Sequence, residues 1–305
     1  MIKIARLYTL CILLGITLIN PQLGNTATTQ DFSCEFSIAK KWEATSFSMP
    51  ESVLVIPGHN WLYVSNVNGE ENDGYISKIS RDGEIIEMKW VDGIHTPTGM
   101  GYHDGRIYVA DQTQVHVISV NTGDILRTLS SEAKTLNDIS LTPDGRVFVS
   151  DLSTGSIYTV QGDQVIPWFQ PANIATLNGL LVQDNTLYAG SVGTVLSRNL
   201  EPKQYGSLYK INLSTKSFKM LPSAEKIGPI DGVVKFHDGI VISDPFNGKL
   251  YYLTEKDRIL VKDNIEGGIA DIGIDSETGM IYAPMIFGNS VIAFQLRKNN
   301  RGISE

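Results

Sequence analysis

Apolar and polar positions alternate in short runs along most of the chain, and the pattern repeats six times. Each repeat starts with a polar residue beside a small one, continues as an alternating apolar strand, and turns at Gly or Asp. An aromatic-rich strand follows and ends in a polar residue, as in Val147-Phe148-Val149-Ser150-Asp151. Period-two alternation in runs of this length predicts half-buried β-strands.

Each repeat is long enough for one small sheet. A third strand follows the first two, as in Gly155-Ser156-Ile157-Tyr158, and most repeats show a fourth. Four short strands in about 40 residues are typical of a β-propeller blade. The six repeats begin at Glu51, Thr98, Asn137, Asn178, Asp231 and Asp271.

The two ends of the repeat series complement each other. The last repeat stops after its third strand, near Phe294, and an additional strand pattern, roughly Phe36 to Glu43, precedes the first. An N-terminal strand that completes the last blade would remove an exposed sheet edge. The sequence therefore predicts an all-β fold: a six-bladed β-propeller of four-stranded blades, closed by that strand, in a single domain spanning 28–305.

Residues 1–27 have the features of a signal peptide. Lys3 and Arg6 precede an uncharged, mostly apolar run from Leu7 to Ile19, and Ala27 offers a small residue for cleavage. The alternative is a short membrane anchor, although this run falls short of the roughly 20 residues that span a bilayer. We expect a periplasmic or secreted protein, in which cleavage would leave Cys34 without an intramolecular partner.

Composition narrows the function classes. The chain is 42% hydrophobic and 19% charged, as in ordinary globular proteins, and its net charge is −8. An acidic chain is poorly suited to nucleic acid, and no later stretch is apolar enough for membrane insertion after cleavage of the signal. We expect a small-molecule substrate, with a protein partner as the alternative.

The repeat starts are candidate ligands for a metal ion. The first strand of each blade lines the propeller channel, so these positions meet near one end of it. Five of the six carry a carboxylate or carboxamide oxygen, and none is His or Cys, which favours one divalent cation, Ca²⁺ above all, over zinc or copper. Alternatively, each Asp or Asn only bonds to neighbouring backbone amides.

These residues resemble the SMP-30/gluconolactonase/LRE-like family of six-bladed propellers. The resemblance extends over about residues 45–297 and rests on Glu51 in Pro50-Glu51-Ser52, Asn178 before Gly179, and Asp231 before Gly232, together with Asn137 before Asp138. It implies a cation held by Glu51, Asn137, Asn178 and Asp231, and a lactone or ester hydrolase. The cation would polarise the carbonyl group, with Asp231 as the leading general base and Asp138 and Asp271 as second choices.

The substrate-binding positions depart from the family pattern. Asn137, Thr98 and Thr135 are the candidate substrate contacts, but sugar-lactone hydrolases of the family often carry Arg where this chain has Thr135. A channel histidine of the related paraoxonases would fall on Thr98. Because of these departures, the alternative is a non-catalytic propeller that binds a small ligand or a protein, in which any channel metal is structural.

An insertion at Val192 to Tyr205 lengthens the fourth repeat. It carries Arg198 and Lys203, which could contact an acidic substrate from a loop over the channel mouth. The alternative is a solvated surface loop.

Overall fold

The protein is all-β with a propeller-like arrangement of sheets. The computed structural model describes residues 35–68, 73–194 and 204–299. Over these ranges the regular structure is β-strand apart from one 3₁₀ turn at Pro222–Ala224. Within the same ranges, no helix is long and apolar enough to cross a membrane. The predicted signal peptide and Cys34 lie outside the described residues.

Twenty-six strands are present in the described ranges. The first half of the chain contains β1 (Phe36–Thr45), β2 (Pro50–Val55), β3 (Trp61–Asn66), β4 (Gly74–Ser80), β5 (Ile85–Ile94), β6 (Pro97–His103), β7 (Arg106–Asp111), β8 (Gln114–Ser119), β9 (Ile125–Ser131), β10 (Leu136–Leu141), β11 (Val147–Asp151), β12 (Ser156–Gln161) and β13 (Gln164–Phe169). The second half contains β14 (Leu177–Gln183), β15 (Thr186–Ser191), β16 (Gly193–Thr194), β17 (Gln204–Tyr205), β18 (Leu208–Asn212), β19 (Phe218–Met220), β20 (Val233–Phe236), β21 (Gly239–Asp244), β22 (Lys249–Leu253), β23 (Arg258–Lys262), β24 (Gly273–Asp275), β25 (Met280–Met285) and β26 (Ser290–Lys298).

Four separate four-stranded sheets are observed in the described ranges, where the sequence predicted six separate blades. They are β2-β3-β4-β5, β14-β15-β18-β19, β20-β21-β22-β23 and β1-β26-β25-β24. The other two repeats, β6 to β9 and β10 to β13, form one eight-stranded sheet. They merge because β13 pairs with β9 in parallel, with Gln164 opposite Ser130 and Val165 opposite Ser131.

The N-terminal strand completes the last sheet, as predicted. β1 pairs antiparallel with β26, from Phe36 opposite Lys298 to Thr45 opposite Ser290. The polar residues of β1 are exposed, whereas Phe36 and Ala44 are buried. The first and last strands of the repeat series are therefore held together by backbone hydrogen bonds.

The hydrophobic core lies between neighbouring sheets. Between the first sheet and β6 and β7, for example, Ile76 and Tyr63 pack in one cluster with Met100 and Ile107. Alternating strands bury apolar residues on both faces when a sheet has a neighbour on each side. Full burial of an Ile or Val side chain contributes about 1.5–3 kcal/mol, so these interfaces hold the sheets in place.

The first strand of each repeat lines one central cavity. Residues from β2, β6, β10, β14 and β20, and from the segment that includes β24, contribute to its walls. Neighbouring first strands also bond directly: the amide of Val182 on β14 donates to the hydroxyl of Ser140 on β10 at 2.8 Å. At the other side, the amide of Asp271 donates to the carbonyl of Glu51 at 2.9 Å.

Candidate channel site

Five of the predicted site residues lie at irregularities in the first strand of their repeat. The pairing of β10 with β11 skips from Leu136 to Ile139, which leaves Asn137 and Asp138 out of register. The same occurs between Leu177 and Leu180 on β14, at Thr98-Gly99 on β6 and at Glu51 on β2. A bulge re-aims side chains that a regular ladder would send into the sheet interfaces.

Three buried serines hold the backbone beside these positions, and the sequence analysis missed them. The hydroxyl oxygens of Ser65, Ser150 and Ser243 accept the amides of Ser52 at 3.0 Å, Asp138 at 2.9 Å and Gly232 at 2.7 Å. Each serine stands one residue before the polar end of a second strand. The recurring signal is Ser-Asn or Ser-Asp at 65–66, 150–151 and 243–244.

Four carboxyl groups converge on the channel. Glu51, Asp138 and Asp231 are 3%, 4% and 7% exposed, and Asp271 is partly exposed. Desolvation raises the pKa of Glu51 well above its ordinary value, and the charges of Asp231, Asp271 and Asp138 raise this pKa further. Carboxyl groups that repel one another in a desolvated place favour protons or a cation between them.

The other three carboxyl groups respond to the same environment. Desolvation, followed by the charge of Asp271, raises the pKa values of Asp138 and Asp231 well above the ordinary range. Desolvation also raises the pKa of Asp271 to about 7, against a lowering by its hydrogen bond from Ser52. The four groups therefore form one electrostatic unit.

Hydrogen bonds fix several of these groups. Asn178 Nδ2 donates to Asp231 Oδ1 at 3.0 Å, and Ser52 Oγ donates to Asp271 Oδ2 at 2.5 Å. Asp138 accepts the amides of Ile139 and Leu180, one on each carboxyl oxygen. Asp138 thus bridges β10 and β14.

Two buried oxygens in the described residues have no hydrogen-bond donor. They are Glu51 Oε2 and Asn178 Oδ1, and both residues are only 3% exposed. Buried polar atoms are nearly always paired, so each orphan calls for a donor or a cation. Oxygens of this kind are ligands that divalent cations accept, and Asn178 also donates to the Asp231 carboxylate. No group of three or more His, Cys, Asp or Glu side chains within the described ranges is arranged to hold a metal ion.

The predicted substrate contacts have other partners. Thr98 Oγ1 donates to the carbonyl of Asn137 at 2.7 Å, and Thr135 Oγ1 bonds to Ser153 Oγ at 2.6 Å. Asn137 is 2% exposed. Thr98 thus fixes the backbone of Asn137, and Thr135 lies by the turn after β11.

The central cavity contacts only part of the predicted set. Its volume is about 260 Å³, and its polar lining comes from Ser52, Asp138, Asp271, Lys235 and Ser276. Most of the other lining residues are aliphatic. Asp231, Glu51 and Asn178 are outside this lining, so two of the three candidate bases face the cavity and the orphaned oxygens do not.

A second polar cluster lies in the β6–β9 repeat. Asp111 Oδ2 bonds to His116 Nε2 at 2.8 Å, and the amides of His95 and Thr96 donate to the same carboxylate. Burial would raise the pKa of Asp111, but the hydrogen bonds of His116, Thr96 and His95 outweigh it and lower this pKa. Asp111 is therefore stabilised in its charged form, unlike the carboxyl groups of the channel.

The two ends of the insertion in the fourth repeat pair with each other as a small two-stranded ribbon. β16 and β17 pair antiparallel, with Gly193 opposite Tyr205, and the side chain of Tyr205 is 50% exposed. Arg198 and Lys203, the predicted cationic contacts, lie outside the described residues.

Comparison with known proteins identifies the fold. No family model and no curated protein sequence matches the chain. Many solved structures do match it. One is the crystal structure of a catalytically inactive virginiamycin B lyase from Staphylococcus aureus with quinupristin, with a TM-score of 0.57 and 13% sequence identity. The match covers 86% of this chain and 99% of that chain. At this identity the likeness shows the propeller-like fold alone.

Proposed function

We propose that the protein is a metal-dependent hydrolase of a lactone or ester, of the gluconolactonase type. The observation that carries this proposal is the pair of buried oxygens without donors, Glu51 Oε2 and Asn178 Oδ1, beside a cluster of desolvated carboxyl groups. An oxygen-rich, histidine-free donor set of this kind suits Ca²⁺.

The proposal includes six blades and membership of the SMP-30/gluconolactonase/LRE-like family. Six first strands around one cavity support the blade count. The eight-stranded sheet would then be two blades whose outer strands touch over only two residue pairs. The order of Glu51, Asn137, Asn178 and Asp231 along the chain supports the family.

Glu51, Asn137, Asn178 and Asp231 would hold the cation. Bound there, a divalent cation supplies Lewis-acid polarisation of a carbonyl group and stabilises its oxyanion. Asn178 orients Asp231 through the bond from Nδ2, which leaves the amide oxygen available as a ligand. The hydrogen bonds that Ser65 and Ser243 accept keep the backbone beside Glu51 and Asp231 in place.

A carboxylate of the chain would take the proton of the attacking water. The candidates are Asp231, Asp138 and Asp271. Asp138 and Asp271 line the cavity, in which a water molecule and a small substrate have room. Ser52 holds Asp271 Oδ2, so the other oxygen of Asp271 is the better placed to accept the proton. A general base must reach the attacking water, and the cavity provides that access.

The test is a thermal melt in EDTA, followed by added Ca²⁺, Mg²⁺, Mn²⁺ or Zn²⁺. A cation at 100 times its Kd should stabilise the folded protein by about 2.7 kcal/mol. Asn178→Ala should abolish the rise in midpoint. Asp111→Asn, which changes a buried carboxylate at the end of β7 in another repeat, should keep it. No shift with any ion at millimolar levels would reject the metal site.

The second candidate is a non-catalytic propeller that binds a small ligand or a protein partner. It is favoured by the finding that no three acidic or histidine side chains in the described ranges are arranged around a metal position. Activity measurements with a panel of lactones and aryl esters distinguish the hydrolase from the binding protein. Glu51→Gln should abolish turnover in a hydrolase, whereas a binding protein would turn over no member of the panel.

We also propose export to the periplasm or the medium, with residues 1–27 removed. The charged start, the apolar run and Ala27 support this. N-terminal sequencing of the protein from its native host should begin near residue 28. An uncleaved N-terminus would reject it.

A further inference from the structure

Three polar side chains form a row across neighbouring strands of the second repeat, outside the lining of the central cavity. His116 on β8 is paired directly with Thr128 on β9. Its Nδ1 bonds to Thr128 Oγ1 at 3.0 Å, and its Nε2 bonds to Asp111 Oδ2, at the end of β7, at 2.8 Å. The imidazole therefore connects a carboxyl group to a hydroxyl group through its two nitrogen atoms.

The members of this row differ in their access to solvent. Asp111 is 4% exposed and His116 is 7% exposed, whereas Thr128 is an exposed residue. The pair of Asp111 and His116 is thus shielded from water, and the exposed member of the row is the one that carries the hydroxyl group.

The partners of Asp111 determine where the protons lie. Desolvation raises the pKa of Asp111, but the hydrogen bonds from His116 and from the amides of Thr96 and His95 lower it further than desolvation raises it. An ionised carboxylate only accepts hydrogen bonds, so Nε2 of His116 donates to it. The neutral imidazole then has its lone pair on Nδ1, and the hydroxyl of Thr128 donates to that nitrogen.

A hydroxyl group that donates to an imidazole, which a carboxylate orients in turn, is the arrangement of an activated nucleophile. The hydrogen bonds of 3.0 and 2.8 Å both lie within the range that proton transfer to a general base requires. Transfer of the proton from Thr128 to His116 would create an imidazolium beside the buried carboxylate of Asp111. The row is therefore suited to stabilise that charge.

A polar cavity of about 300 Å³ includes His116 and Asp111 in its lining, together with Gln112 and Gln114. Gln114 precedes His116 by two residues on β8, so both side chains lie on the same face of the sheet. Side-chain amides are among the donors that stabilise the oxyanion of an acyl transfer. A small acyl donor therefore finds space and a suitable donor group beside the imidazole.

We propose that Thr128 is a nucleophile that takes an acyl group from small activated esters, with His116 as its general base and Asp111 as the group that orients His116. Thr128 Oγ1 bonds to the carbonyl carbon while its proton passes to His116 Nδ1. The bond from that carbon to the leaving oxygen then breaks, and this oxygen takes the proton from Nδ1. One aryl ester and one hydroxyl group thus give one acylated Thr128 and one phenol.

Mass spectrometry of the whole protein after incubation with p-nitrophenyl acetate in EDTA tests this. Peptide mapping should find an acetyl group on Thr128. Ser130 is the matched control, an exposed hydroxyl residue two positions along the same strand that bonds to no histidine among the described residues. A general base contributes about 10²–10⁴-fold, so Thr128 should be acetylated at least about tenfold faster than Ser130. Equal acetylation of the two residues, or none on Thr128, would overturn the proposal.

Variants identify the groups of the row. Thr128→Ser keeps the hydroxyl group and should still be acetylated, whereas Thr128→Val should lose the initial release of p-nitrophenol, one per chain. His116→Gln should slow acetylation of Thr128 at least about tenfold. A folded His116→Gln protein that is acetylated like the parent would overturn the role of the imidazole. The comparison of Thr128 with Ser130 uses the unaltered chain, so that test requires no variant to fold.

The acylation does not rest on the channel metal, and the two can fail separately. Acetylation of Thr128 in a protein whose melt responds to no cation would reject the metal site and support this inference. A melt that responds to Ca²⁺, with Thr128 no more reactive than Ser130, would leave the proposed function standing and reject this inference.

Discussion

The side-chain amide of Asn178 donates to Oδ1 of Asp231 at 3.0 Å, across the boundary between two separate sheets. This bond fixes the amide orientation and leaves Asn178 Oδ1 buried without a donor. Asp231 itself is desolvated and repelled by Asp271. Asn178 thus donates one hydrogen bond while its own oxygen lacks a donor, and the Asp231 carboxyl group is repelled by its neighbour. A bound cation would satisfy both groups.

The first prediction concerns Asn178 and Asp231 in the absence of metal. Asp231→Asn removes one of four mutually repelling carboxyl groups, so in EDTA the variant should melt above the parent protein. Each kcal/mol gained corresponds to about 2–4 °C or less in a chain of this size. The variant should also lose the rise in midpoint on adding Ca²⁺, because one of the proposed ligands is gone.

Scanning calorimetry with and without Ca²⁺ measures both effects. Asp111→Asn, at a buried carboxylate in another repeat, is the control and should retain the response to Ca²⁺. An Asp231→Asn protein that still responds like the parent would remove Asp231 from the ligand set.

The second prediction is a pH dependence. The pKa of Asp271 is raised to about 7, whereas an unfolded Asp has its ordinary low value. The folded state therefore holds a proton that the unfolded state has lost, and the free energy of unfolding is highest at acidic pH. This contribution should be lost as the pH rises from about 4 through about 7.

Urea denaturation in EDTA between about pH 5 and pH 8 measures how the free energy of unfolding changes with pH. Asp271→Asn should reduce this pH dependence. Other groups contribute to the parent curve, so the difference between the two proteins is the informative quantity. A parent and variant with parallel curves would contradict the raised pKa.

The third prediction addresses the buried serines beside the site residues. Ser243 is fully buried; its hydroxyl accepts the amide of Gly232 and donates to the carbonyl of Ala270, each at 2.7 Å. Ser243→Ala leaves both backbone groups without this partner and should cost about 1–3 kcal/mol. Ser217→Ala, at an exposed position, should stay within about 0.5 kcal/mol.

Denaturant melts of the two alanine variants measure the difference. Because Gly232 follows Asp231 directly, Ser243→Ala should also weaken the response to Ca²⁺. A variant as stable as the parent would mean that this hydroxyl does not hold the backbone of Gly232.

The fourth prediction uses a glycine at the centre of the site. A Cβ atom on Gly179 would lie 1.8 Å from the carbonyl oxygen of Asp231. Gly179→Ala must therefore push β14 away from the segment that carries Asp231, and should both destabilise the protein and abolish the Ca²⁺ response. Gly162→Ala meets no neighbouring atom and carries only the strain of its positive φ.

Thermal melts of the two glycine variants test this, with Gly162→Ala expected to cost about 1 kcal/mol and to keep the Ca²⁺ response. Equal behaviour of the two would show that β14 and the Asp231 segment are not tightly apposed.

Local sequence patterns were enough to predict most of the strands and their order, because period-two alternation and turn residues are local properties. The sequence also predicted that β1 would join the last repeat, since an unfinished sheet and an unused strand pattern are complementary. It located Glu51, Asn137, Asn178 and Asp231 at equivalent points of their repeats. It could not show which oxygens of these residues would lack donors.

The oxygens without donors could be identified only from the tertiary structure, because their surroundings depend on contacts between residues far apart in the chain. The pairing of β13 with β9 depends on how two outer strands approach, and no local pattern encodes it. The same is true of Ser243, whose bonds to Gly232 and Ala270 need three segments in place. The raised pKa of Asp271 likewise follows from desolvation at the point where the first strands meet, which only the assembled channel creates.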